Sequence, residues 1–82
     1  MVDKRLFKSV MARFGDRQQD LAKAIGISQQ SLSFKVNNLV QFKPSEIELI
    51  AIRYSLTADE IQRIFFANTV NREATEVKAE VT

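Results

Sequence analysis

The sequence predicts an all-α fold, and two observations carry that expectation. Apolar residues recur at helical spacing in five separate stretches between Leu6 and Phe66. Between those stretches stand residues that stop or start helices, among them Gly15, Gly26, Ser28, the Asn37-Asn38 pair, Pro44 and Thr57. Residues 1–66 therefore read as one helical domain, and residues 67–82 as a C-terminal tail.

Taken in order, Leu6, Phe7, Val10, Met11 and Phe14 form the inner stripe of a first helix that Gly15 stops. Asp16 is placed to cap a second helix with Leu21, Ala22 and Ile25 on its inner face. Ser28 opens a third, and Asn37-Asn38 ends it, since asparagine tolerates the left-handed conformation next best after glycine. A connection through Phe42-Lys43-Pro44 follows. Ser45 with Glu48, and Thr57 with Glu60, have the spacing of capping boxes. They would begin a fourth helix carrying Ile47, Ile50, Ala51 and Tyr54, and a fifth carrying Ile61, Ile64 and Phe65. The tail has two readings. Val77, Ala79 and Val81 alternate with charged residues at strand period, as in a dimerising strand, while a charged terminus is more commonly disordered.

The stretch Gln18–Phe34 is the most informative part of the chain. It reads as a short helix, a turn at Gly26 and a second short helix with two glutamines near its start. That is the layout of a DNA-reading helix-turn-helix, whose second helix enters the major groove. Small Ala22 permits close helix approach, and Gly26 can adopt positive φ. Ile27 can pack beneath the turn, while Ser28 can cap the next helix. These four requirements differ in physical origin and fall in one register.

On these residues the segment resembles the Cro/repressor-type helix-turn-helix family, the xenobiotic-response-element group, and especially its short phage Cro-like members. The likeness is densest over Gln18–Phe34 and looser from about Leu6 to Phe66. It implies a compact five-helix bundle of the lambda-repressor-like kind that binds a near-palindromic operator as a homodimer, in the cytoplasm or nucleoid of a bacterial host cell. By the family's pattern Gln29, Gln30, Ser33 and Phe34 fall on base-reading positions. Gln18 falls where a glutamine meets a phosphate and braces Gln29.

The residues themselves point the same way. With Gln29 as origin and 100° per residue, Leu32, Val36 and Leu39 cluster on one side of the third helix. Gln30, Ser33, Phe34, Asn37 and Asn38 lie opposite, with Gln29 at the boundary. Glutamine can pair in bidentate fashion with adenine N6/N7. Phe34 has two readings: contact with thymine methyl groups, or folding back against the loop around Phe42. Arg17, Lys35, Lys43 and the backbone around Asn37–Phe42, Asn37 and Asn38 foremost, border this helix and are candidates for phosphate contact. Val40, Gln41 and Phe42 dilute the charge there, which predicts a modest salt dependence.

Charge is distributed unevenly. Residues 1–43 carry eight basic and three acidic groups, a net +5, whereas residues 44–82 carry four basic and seven acidic groups, a net −3. No acid occurs between Leu21 and Ser45. A polyanion is drawn to such a half.

The 82 residues contain no histidine and no cysteine. This removes the commonest general base, the commonest metal ligand and any thiolate site, so neither an enzyme nor a cofactor or metal protein is expected. Two glycines cannot build a phosphate-cradling loop. No apolar run is long enough to span a membrane, and no signal-peptide pattern is present. Leu49, Ile52 and Phe66 exceed what one core stripe needs and could complete a broad core or form a dimer surface. The alternative function is a helical protein-interaction module, such as an antitoxin or an antirepressor-binding regulator, whose partner is another protein.

Overall fold

Asp3 begins the ordered structure by accepting the backbone N–H groups of Arg5 and Leu6 on Oδ1, each at 3.1 Å. The computed structural model describes residues 1–67. They form five helices and, among the described residues, no strand: α1 Lys4–Arg13, α2 Gln18–Ile25, α3 Gln29–Val36, α4 Pro44–Tyr54 and α5 Ala58–Phe65. The tail residues Val77, Ala79 and Val81 lie outside the described part.

Local signals set most boundaries. Gly26 closes α2 at φ +81°, and the following Ile27 N–H donates to the Ala22 carbonyl at 3.0 Å, which satisfies a free helix-end acceptor. Ser28 Oγ accepts the Ser31 N–H at 3.0 Å and opens α3. Thr57 and Glu60 form the expected reciprocal box at 2.9 and 3.1 Å. Two other caps differ from expectation. Arg17, not Asp16, is the N-cap of α2, and Asp20 Oδ2 accepts its N–H at 2.9 Å. α4 starts at Pro44 instead of after Ser45, and Glu46 Oε1 accepts the Lys43 N–H at 2.9 Å. Proline suits the first helical position because its fixed φ is already helical and its missing N–H would have been unpaired there.

Leu21, Leu32, Val36 and Ile50 are fully buried at the centre, where α2 packs against α3 and α4. α5 packs against α1 and α4. Phe42 comes from the α3–α4 connection yet joins the core, stacking on Phe7 at 5.7 Å and meeting Phe65 edge-on at 5.3 Å between ring centroids. Phe65 in turn meets Phe7 edge-on at 5.8 Å. These contacts pin the connection to α1 and α5.

The helical projection of Leu39 onto the core does not hold, because α3 ends at Val36 and Asn38 turns the chain at φ +65°. Leu39 is left 72% exposed. Asn38 has a second task. Its Oδ1 accepts the Val2 N–H at 2.7 Å and its Nδ2 donates to the Val2 carbonyl at 3.1 Å. The same N-terminal segment bonds to the end of α5 through Asp3 N–H to the Ile64 carbonyl and Ala67 N–H to the Met1 carbonyl. The C-terminus of α3 is thereby fastened to both chain ends of the domain.

Asp16, displaced from capping, joins distant elements. Arg53 Nε and Nη2 donate to its two oxygens at 2.7 and 2.9 Å, and the Tyr54 hydroxyl donates to Oδ2 at 2.6 Å. These bonds, Arg53's first and then Tyr54's, hold the Asp16 carboxyl below the usual carboxylate range. Burial, followed by the Asp16 hydrogen bond and charge, pushes the Tyr54 hydroxyl above an ordinary phenol. A depressed carboxylate stabilises the fold above its unfolded pKa, and that stability is lost as pH falls through the folded value. An Asp16→Asn variant is accordingly expected to be less stable than the parent at pH 7. The gap in urea midpoint should narrow as pH falls below the ordinary aspartate range and through the depressed folded value; a gap that stays constant with pH would contradict the linkage.

Candidate nucleic-acid interface

α3 divides into an anchored side and a free side. Leu32 and Val36 are fully buried, and Gln29 and Gln30 are exposed on its first turn. One turn beyond Gln30, the Phe34 side chain stands 41% exposed. Its ring pairs with no other aromatic among the described residues, and Phe42 packs against Phe7 and Phe65 instead.

The remaining polar groups of this face are already engaged. Asn37 Nδ2 donates to the Ser33 carbonyl at 2.8 Å and lies 3.4 Å from Ser33 Oγ. Lys4 Nζ donates to Asn37 Oδ1 at 2.7 Å. Ser33 is half-buried, whereas Asn37 is exposed. Asn38's amide oxygen and one of its two N–H donors are engaged by the Val2 backbone, although the residue is exposed.

Lys35 requires a correction. It was expected at a phosphate, but it is only 5% exposed, and its ammonium lies 2.7 Å from both carboxylate oxygens of Glu46. The helical wheel places Lys35 60° beyond Leu32, at the edge of the inner side, and α4 brings Glu46 to meet it. Burial alone would raise the Glu46 carboxyl. The Lys35 bond, the Lys43 N–H bond and the charges of both lysines outweigh this and hold it below the ordinary value. The apparent positive charge of α3 is thus neutralised inside the fold.

Three other expected contacts lie outside α3. Arg17 and Lys43 are exposed, Arg17 lying 3.6 Å from Asp20. Gln18 is half-buried, and among the described residues no hydrogen bond joins it to Gln29. The fold sets the Lys4 ammonium at the C-terminal end of α3. Nothing local in the sequence could have paired Lys4 with Asn37, 33 residues away.

The arrangement offers two neutral amides and one aromatic ring on a helix anchored by its buried side, with the Lys4 cation at its C-terminal end. Such a surface suits recognition by hydrogen bonding and apolar contact. Among the described residues, no helix is long and apolar enough to cross a membrane. No curated protein and no solved structure matches the chain. A family model does match, over residues 3–68, so that all five helices fall within it; the chain belongs to the family described as Protein of unknown function (DUF739).

Proposed function

We propose that this chain is a sequence-specific double-stranded DNA-binding regulator, acting as a repressor of the Cro type. In this reading α2, the Gly26 turn and α3 form a helix-turn-helix, with α3 entering the major groove. The observation that carries it is the split character of α3. Gln29, Gln30 and Phe34 are exposed on a helix whose other side is held by Leu32, Val36 and the Lys35–Glu46 pair. A helix seated in this way can offer its outer side chains to base edges without reorganising. The basic first half of the chain supports the same reading, since a duplex is a polyanion.

The chain acts by binding, as a homodimer on a near-palindromic operator, with its two α3 helices about 34 Å apart in successive major grooves. Leu49 and Ile52 on α4, the latter 69% exposed, together with Phe66 supply apolar surface for a contact between copies. That same surface keeps a protein partner open as the second reading.

Selection of bound sites from a random duplex pool tests the proposal directly. The expected outcome is one enriched motif with two inverted half-sites centred about 10 base pairs apart. A pool that shows no enrichment after repeated rounds, while the protein remains folded, would overturn it.

A further inference from the structure

We infer that Phe34 is a specificity-determining residue that reads the C5-methyl group of thymine, an inference that rests on the DNA-binding function proposed above. Two polar side chains that follow Phe34 on the outer face are hydrogen-bonded within the protein. Asn37 is held by Ser33 and Lys4, and Asn38 by Val2. What remains free on α3 is two amides at its start and one phenyl ring a turn later. In the major groove the C5-methyl of thymine is the apolar feature that separates a T·A pair from the rest. A phenyl ring has no hydrogen bond to offer any other base edge.

The backbone beneath Phe34 is fixed. Its carbonyl accepts the Leu39 N–H at 2.8 Å, and its neighbours Leu32, Lys35 and Val36 are buried. Phe34 follows Gln30 by one helical turn, a rise of about 6 Å, against about 3.4 Å between base pairs on a strand. The thymine it meets therefore lies within about two base-pair steps of the base that Gln30 contacts. With glutamine suited to adenine, each half-site should be rich in A·T pairs at its reading positions.

The test uses the duplex enriched by the selection, with each thymine replaced in turn by deoxyuridine, which deletes the methyl and keeps every hydrogen-bonding group. Affinity is measured for the parent, Phe34→Ala and Phe34→Leu proteins, with thermal unfolding as the check on folding. At one thymine per half-site the parent should lose about fourfold in affinity, the value of one buried methyl group. Phe34→Ala should bind the two duplexes equally, and Phe34→Leu should retain a preference for thymine. Equal sensitivity to deoxyuridine in the parent and Phe34→Ala proteins, with sequence-specific binding intact, would overturn the role of Phe34 alone. Absence of any sequence preference would overturn the DNA-binding proposal, and this inference with it.

Discussion

Glu46→Ala will destabilise the domain by about 3–5 kcal/mol, because it strands the Lys35 ammonium in the interior without its counter-ion. Lys35→Met should cost a comparable amount by leaving the Glu46 carboxylate unpaired. Each loss is a large share of the roughly 5–10 kcal/mol that holds a small domain together. The cause is desolvation more than lost attraction. Both side chains are nearly sealed from water, and the ammonium touches both carboxylate oxygens at 2.7 Å. Replacing both partners, Lys35→Met with Glu46→Leu, removes the charges together and should recover most of the loss. A residual deficit of about 1 kcal/mol is expected, since Glu46 also accepts the Lys43 N–H that begins α4. Urea unfolding of the three variants decides the matter. Single losses below about 1 kcal/mol would mean that water reaches the pair, as at an ordinary surface bridge.

Replacing Gln29 and Gln30 together by alanine will reduce affinity for the selected operator by at least about 30-fold, while binding to unrelated duplex changes by less than about twofold. A well-placed bidentate pair with a base discriminates by about 1–3 kcal/mol, and two residues at the low end already reach about 2 kcal/mol. Non-specific binding is set by neutralised phosphates, and neither amide carries charge. Both side chains are exposed, so folding should be nearly unaffected, within about 0.5 kcal/mol for each substitution. Titration of labelled operator against competitor duplex reads both quantities at once. Equal loss on specific and unrelated DNA would show that the glutamines do not read bases.

The contrast between these predictions reflects how far each residue could be understood from its neighbours. The glutamines were legible because Leu32 and Val36, three and seven residues after Gln29, fix the phase of α3. Lys35 was not, because its partner lies 11 residues on, in another helix. Its neighbours in sequence gave no acid to pair with, so a charge that the fold neutralises counted as free. Phe34 was an open choice for a similar reason. Whether Phe42 was available to pair with it depended on Phe7 and Phe65, from opposite ends of the domain.

By itself the sequence determined five helices, the Gly26 turn, the Ser28 and Thr57 caps and the outward phase of the glutamines. All of these follow from interactions within a few residues, where spacing and side-chain chemistry act directly on the backbone. Tertiary structure alone decided that Asp16 binds Arg53 and Tyr54, that Asn38 holds Val2, and that Lys35 is withdrawn from the surface. Each of those side chains could serve equally well in its local setting or a distant one. The choice falls to whichever partner packing brings within hydrogen-bond reach away from water.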